Sequence, residues 1–112
     1  MKPIAKAIEE RNECQQKIKE EMPDLYEGFG SLLQSTYKDG HLPRKTKEIA
    51  AVACSVAVRS ESCVLAHVKK AVDAGATKEE ILEAGAIGVE MGGGPSLVFA
   101  KDAIDVAEAL IK

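Results

Sequence analysis

A cysteine and a histidine stand four residues apart in the segment RSESCVLAHVKKAVDAG, Arg59 to Gly75. If this segment is helical, Cys63 and His67 lie one turn apart on the same face, so the imidazole can reach the sulfur. A cysteine in the first turn of a helix also meets unpaired backbone N–H groups and the positive end of the helix dipole. Both effects favour the thiolate, the nucleophilic form. The spacing therefore predicts a reactive thiol, while the simpler alternative is that both residues fill a core.

Glu48 is a second residue that calls for a partner. It precedes the run IAAVACSVAV and is the only acid between Arg44 and Val58. A carboxylate in an apolar helix is costly unless it is paired or protonated, so we expect Glu48 to meet a polar group where this helix packs against the next one. His67 is the natural candidate. Arg59 and Lys47 offer alternative salt bridges, and an acid in a first turn is itself favourable.

The elements that position these residues are helices. Apolar residues recur every three to four positions and strand-type alternation is lacking, which predicts an all-α fold of about six helices. The nearly all-apolar third helix should be central, with the fourth antiparallel to it. Thr77 and Glu80 match a capping box, and Gly75 suits a left-handed helix stop. The predicted spans are Pro3 to Glu21, Asp24 to Lys38 opened by Pro23, Arg44 to Val58, Ser60–Ser62 to Gly75, Thr77 through Met91, and Ser96 to Leu110.

Composition limits the classes of partner. A length of 112 residues fits one domain, 1–112, and no run of about 18 apolar residues suggests a membrane span. The charged N-terminal sequence does not resemble a signal peptide, so we expect a soluble, cytoplasmic protein. The net charge of -3 gives no basic surplus, so nucleic acid is not expected as a partner. GGGP, Gly92 to Pro95, reads as a tight turn and not as a phosphate loop, because no strand precedes it.

The other cysteines and the second histidine carry no clear signal. Three cysteines without a CxxC argue against a disulfide scaffold or a zinc site, so no metal or cofactor is expected. Cys14 and Cys54 are expected to be space-filling residues, since free cysteine is among the most buried residue types. His41 lies in the segment KDGHLP, which is expected to be a loop that ends the second helix, with no partner in view.

Between about Leu42 and Leu110 the chain resembles the alkylhydroperoxidase D-like, carboxymuconolactone decarboxylase family. The residues that carry the resemblance are Glu48, SESC, His67, AVDAGATKEEILEAGAIG and MGGGPSLVFAKDAIDVAEAL. In the family's peroxidase branch, a glutamate lies twelve residues before the first cysteine of a CxxC motif. A histidine follows the second cysteine after three intervening residues. Glu48 lies twelve residues before Ser60, with Cys63 and His67 in the remaining positions. Ser60 stands where the family has its first cysteine.

The resemblance implies a thiol-dependent, peroxidase-like redox enzyme that acts on a small-molecule peroxide. Glu48 would orient His67, His67 would deprotonate Cys63, and the thiolate would attack the O–O bond to give a sulfenic acid. Ser60 could only hydrogen-bond. The second thiol would then be Cys54, a small-molecule thiol or a redox partner protein.

Two alternatives remain open at the level of sequence. One is the family's decarboxylase branch, which would use polar groups around His67 on a carboxylated lactone, with Arg59 and Lys69 as the basic residues near the site. The other is a non-catalytic oligomeric scaffold that kept the fold after losing the first cysteine at Ser60. The resemblance also implies a homo-oligomer, a hexamer built as a trimer of dimers. Apolar stripes on the first and last helices support self-association.

Overall fold

The computed structural model describes residues 1–111, which form six α-helices and one 3₁₀ turn. Lys112, the last residue of the expected domain, lies outside the described residues. The all-α prediction is confirmed, and the observed helix ends fall within a few residues of the predicted ones. The helices are α1 (Ile4–Glu21), α2 (Pro23–Tyr37), α3 (Arg44–Ala57), α4 (Glu61–Asp73), α5 (Lys78–Gly92) and α6 (Leu97–Leu110), with the 3₁₀ turn Gly94–Ser96 before α6.

Helix α3 is the centre of the fold, as its apolar sequence predicts. It contacts α4, α5 and α6, and it buries Val52 and Val56 completely. A glycine sets the close approach of α5: a Cβ at Gly88 would lie 2.6 Å from the Val56 Cβ and 2.7 Å from the Ala53 carbonyl oxygen. Any side chain there would push the two helices apart. The rest of the core consists of small and branched apolar residues of α4, α5 and α6, among them Val64, Val68, Ile81, Ala84, Val106 and Ala107.

A three-residue connection reverses the chain between α3 and α4. The Ser60 N–H donates to the Ser55 carbonyl at 3.1 Å, and the Arg59 N–H donates to the Val56 carbonyl at 3.2 Å. This is a Schellman ending, which places the residue after the cap in the left-handed region. Arg59 occupies it with φ 59°, a conformation that costs a non-glycine residue about 1–2 kcal/mol. The turn nevertheless holds α4 antiparallel to α3.

The remaining helix boundaries follow the predicted signals. The Thr77 hydroxyl accepts from the Glu80 N–H at 3.2 Å, and the Glu80 carboxylate accepts from the Thr77 N–H at 2.9 Å, which completes the capping box. Gly75 has φ 101°, the left-handed stop expected after α4. GGGP is a tight turn with Gly93 at φ 84°. Among residues 1–111, no helix is both long and apolar enough to cross a membrane.

Exposed apolar side chains occur on α2, which the sequence did not single out, as well as on the predicted helices α1 and α6. Ala7 of α1 and Val106 of α6 are buried and both helices contact α4, but Ile8 of α1 is 39% exposed. Helix α2 buries none of its residues. Three of its apolar side chains are more than half exposed: Leu25 53%, Phe29 53% and Leu32 58%. More exposed apolar residues surround the junction of α5 and α6, namely Ile87, Met91, Leu97 and Val98.

Asp102 is an acid in the interior of the helical core. It is 2% exposed, and its Oδ1 atom has no hydrogen-bond partner among the described residues. Burial raises the pKa of Asp102, and the negative charges of Glu61 and Asp105 add to the effect, while the Met1 amino group and Lys101 oppose it. The ionised form of Asp102 is therefore disfavoured in the folded state.

We predict that Asp102→Asn stabilises the protein at neutral pH. The folded-state pKa lies above the usual value of 3.8, so the stability that Asp102 contributes is full below pH 3.8 and is lost as the pH rises through the folded pKa. Removing the charge should raise the free energy of unfolding near neutral pH by about 1–2 kcal/mol. The gain should vanish in acid. Urea unfolding at several pH values measures it, with Asp73→Asn at an exposed position as the control, and a loss of stability at neutral pH would contradict the prediction.

Candidate active site

The central contact of the site joins α3 to α4. Glu48 is 1% exposed, and its Oε1 atom lies 2.8 Å from Nδ1 of His67, whose side chain is 14% exposed. A neutral imidazole that donates its Nδ1 hydrogen to the carboxylate keeps a lone pair on Nε2. The contact therefore fixes the ring orientation and leaves Nε2 as the nitrogen that can accept a proton. The second carboxylate oxygen of Glu48 has no partner among the described residues.

The two alternative partners considered for Glu48 are not used. The Lys47 ammonium donates to the carbonyl oxygens of Thr36 at 2.9 Å and of Lys38 at 2.8 Å. Arg59 lies at the opposite end of α3, beyond its last residue, Ala57. The favoured pairing of Glu48 with His67 is therefore the one observed, and the alternative salt bridges are not formed, because the Lys47 ammonium is occupied at the end of α2 and Arg59 is far along the helix.

Tyr37 is a residue of this site that the sequence did not reveal. Its ring centroid lies 5.4 Å from that of His67, with the planes inclined by 36°. The two carbonyls held by Lys47 belong to the residues on either side of Tyr37, so Lys47 positions the tyrosine. Burial raises the pKa of Tyr37, and the nearby acid Glu48 adds to the effect. The phenol thus remains protonated at neutral pH. In the sequence, Tyr37 is only the last residue of an amphipathic helix.

Cys63 lies in the first turn of α4, and its sulfur is on the accessible side of the helix. The Ser60 hydroxyl accepts a hydrogen bond from the Cys63 N–H at 3.2 Å. Ser60 is thus the N-cap of the helix that carries the thiol. Such a cap typically contributes about 1 kcal/mol relative to alanine. The hydroxyl that replaces the family's first sulfur therefore has a structural task of its own.

One pocket brings the thiol and the imidazole together. It has a volume of about 500 Å³ and contains Cys63, Cys54, His67 and Tyr37 in its wall. The remainder of the wall is mostly apolar and is formed by Thr36, Leu42, Lys47, Ala50, Ala51, Ser55 and Val58. Among the described residues no hydrogen bond joins the Cys63 sulfur directly to His67. Glu48 lies outside this wall and borders a separate cavity of about 300 Å³, so it acts on the pocket through His67.

The expectation that the other cysteines fill space in the core is wrong. Cys14 and Cys54 are both exposed, as is Cys63. Cys14 lies on α1, away from the pocket wall, whereas Cys54 is part of that wall. The helical periodicity of α3 explains the difference, since Ser55 and Val56 turn inward and Cys54 faces the pocket.

Two further features of the sequence lie outside the site. His41 is exposed in the loop between α2 and α3. In the part of the chain that the structure describes, no group of three or more His, Cys, Asp or Glu residues is arranged to hold a metal ion.

Two relatives of similar length resemble the chain in sequence. An uncharacterized protein of Cupriavidus necator is 38% identical over 88 residues, which cover 79% of this chain and 78% of that protein. An uncharacterized protein of the cox locus of Paracoccus denitrificans is 33% identical over 84 residues, covering 75% of this chain and 76% of its own.

Solved structures share the whole fold. A carboxymuconolactone decarboxylase family protein of Legionella pneumophila is 42% identical, with a TM-score of 0.85 over 97% of this chain and 95% of its own. A Thermotoga maritima protein of the same family, for which a part in the antioxidative response has been suggested, is 30% identical, with a TM-score of 0.79 over 94% of this chain and 89% of its own. The sequence model of the carboxymuconolactone decarboxylase family matches residues 23–107. The chain therefore belongs to the carboxymuconolactone decarboxylase family.

Proposed function

We propose that the protein is a thiol-dependent, peroxidase-like oxidoreductase in which Cys63 reduces a small-molecule peroxide. The observation that carries the proposal is the buried Glu48–His67 hydrogen bond behind a pocket that contains the Cys63 thiol. A carboxylate that orients an imidazole beside a thiol is the arrangement expected of an activated nucleophile. The suggested antioxidative role of the Thermotoga maritima relative is consistent with this chemistry.

Each group has a defined part in the reaction. Glu48 accepts the Nδ1 hydrogen of His67 and stabilises the imidazolium that forms when Nε2 takes the Cys63 proton. The thiolate then attacks the peroxide oxygen that carries hydrogen, so an S–O bond forms as the O–O bond breaks. The leaving alkoxide takes the proton back from His67. The products are an alcohol and a Cys63 sulfenic acid, and His67 is neutral again.

The shape of the pocket suits such a substrate. Tyr37 packs against the ring of His67 and limits its rotation, and the Lys47 contacts keep Tyr37 in place. The largely apolar wall accepts an organic substituent, while the same wall contains the Cys63 thiol and His67. Ser60 cannot form a disulfide, so the sulfenic acid requires another thiol from the chain, from a small molecule or from a redox partner protein.

The decarboxylase alternative has less support from the site. A carboxylated lactone is an anion and would need cations to hold it. Lys69 pairs with Asp73 on the surface, and neither Lys69 nor Arg59 is part of the pocket wall. Lys47 does line the pocket, but its ammonium is bonded to two backbone carbonyls. Turnover of a carboxylated lactone would favour this alternative, and inertness to both substrates would favour a non-catalytic scaffold.

We predict that iodoacetamide near neutral pH alkylates Cys63 faster than Cys14 and Cys54. All three thiols are exposed, so exposure alone predicts similar rates. Selectivity must therefore come from the helix start and from His67. His67→Ala should slow labelling of Cys63 at least several-fold, whereas His41→Ala should leave it unchanged. Peptide mass spectrometry over a time course measures the three rates.

Peroxide gives the second arm of this test. A low dose of an organic hydroperoxide should oxidise Cys63 to a sulfenic acid. The product is detected by a sulfenic-acid trap or, if a second thiol has reacted with it, as a disulfide. Equal alkylation of the three cysteines, together with no peroxide-dependent change at Cys63, would contradict the proposed function.

The exposed apolar surface supports a homo-oligomer as the working form, and we include a hexamer built as a trimer of dimers in the proposal. Helix α2 presents Leu25, Phe29 and Leu32 to solvent although its sequence is amphipathic. An unpartnered helix face of this kind is typical of a surface that another chain covers. Because Tyr37 ends the same helix, the partner would also steady the pocket. Free thiols are maintained in reducing compartments, so we propose a cytoplasmic location.

We predict a solution mass near six times the 11.9 kDa of one chain. Leu32→Glu should lower this mass, because it places a charge in the exposed apolar face of α2. Gln16→Glu adds the same charge at an exposed position of α1 and should leave the mass unchanged. Light scattering at micromolar concentration is the measurement. A monomeric wild-type protein would contradict the assembly.

A further inference from the structure

We propose that Cys54 is the resolving cysteine of the site, condensing with oxidised Cys63 to form a disulfide between α3 and α4. The inference rests on the proposed function, because it requires a sulfenic acid at Cys63. It assigns to this chain an internal second thiol in place of the one that Ser60 does not provide.

The placement of the two cysteines supports the pairing. Cys54 lies in the last turn of α3 and Cys63 in the first turn of α4, on either side of the short connection. The bond from the Ser60 N–H to the Ser55 carbonyl keeps these two helix ends together. Residues at similar distances from the reversal of an antiparallel helix pair lie at the same level along the pair. Both cysteines are exposed and line the same pocket, so the two residues border one shared space.

The surroundings of the two sulfurs are permissive. Both residues are exposed, so neither side chain is locked by core packing, and each can change rotamer. Both thiols also lie within electrostatic range of Tyr37: burial and Glu48 raise the pKa of its hydroxyl, and negative charge on Cys54 or Cys63 adds to the effect. A disulfide needs Cα atoms about 4.4–6.8 Å apart, closer than the usual 8–10 Å between packed helix axes. The oxidised form therefore requires the last turn of α3 and the first turn of α4 to bring the two Cα atoms into this range.

Cys54 can act as the second thiol, whereas Ser60 cannot. The Ser60 oxygen is engaged in capping α4 through the Cys63 N–H, and a hydroxyl cannot take part in thiol–disulfide exchange. Cys14 lies on α1 outside the pocket wall. Cys54 is thus the one further thiol that shares the pocket with Cys63 among the described residues.

The step balances without a further oxidant. The Cys54 thiol gives up its proton and its sulfur attacks the sulfur of the Cys63 sulfenic acid, so that an S–S bond forms as the S–O bond breaks; the departing hydroxide takes up the released proton and leaves as water. Two thiols have then lost two electrons to the peroxide, which leaves as an alcohol and water. An external thiol reductant must reopen the disulfide before the next cycle.

The test treats fully reduced, full-length protein with one equivalent of an organic hydroperoxide, then blocks free thiols and records intact and peptide masses. Wild type should lose about 2 Da and yield a cross-linked peptide pair containing Cys54 and Cys63. Cys54→Ser should instead gain about 16 Da at Cys63 and react with a sulfenic-acid trap about tenfold more than wild type. Cys14→Ser, the matched control, should behave as wild type. Ser60→Cys in the Cys54→Ser background should restore an internal disulfide.

The outcomes separate the two proposals. A trappable sulfenic acid of equal yield in wild type and Cys54→Ser would overturn the role of Cys54 while leaving the peroxidase proposal intact. A disulfide that links two chains would overturn it as well. If Cys63 remains unoxidised in every variant, the proposed function itself fails. Because Cys54 is exposed, its serine variant should fold, and an unchanged circular dichroism spectrum checks this.

Discussion

The hydrogen bond between Glu48 and His67 is the interaction on which the geometry of the site depends. A carboxylate that is 1% exposed would cost several kcal/mol if left without a partner, so the packing of α3 against α4 must supply one. The antiparallel arrangement does so by placing a histidine of α4 at 2.8 Å from the acid of α3. The contact then determines which imidazole nitrogen faces the pocket. The burial of Glu48 between the two helices thus also determines which nitrogen of His67 can accept a proton.

The other elements keep that pair in place. The Schellman ending at Arg59 fixes the reversal between the two helices, and Ser60 caps the second of them beside the thiol. Gly88 lets α5 approach α3 closely. Tyr37 packs against the ring of His67 and is held there by Lys47. The site therefore depends on a turn with its adjoining cap, on a close helix contact and on a lysine, which come from three separate parts of the chain.

Residue type and spacing predicted the helices and the grouping of Glu48 with His67, because those signals are local or follow from two neighbouring antiparallel helices. The roles of Tyr37 and Lys47 could not be predicted, since they arise where α2 returns against α3 and no periodicity marks that contact. The exposure of Cys54 could not be predicted either, because the sequence of α3 is apolar on nearly every side and does not show which face of the helix lines the pocket. Similarly, the stripes of α1 and α6 and that of α2 look alike in sequence, yet α2 alone buries none of its residues among the six helices described.

The tautomer of His67 tests the central interaction most directly. Nitrogen-15 NMR of ring-labelled protein at about pH 8, where an ordinary imidazole is neutral, distinguishes a hydrogen on Nδ1 from one on Nε2. His41→Gln leaves His67 as the only histidine and assigns its signals. The contact predicts the Nδ1–H form in wild type and a loss of that preference in Glu48→Ala. A His67 ring that carries its hydrogen on Nε2, or that is indifferent to the loss of Glu48, would contradict the role assigned to this pair.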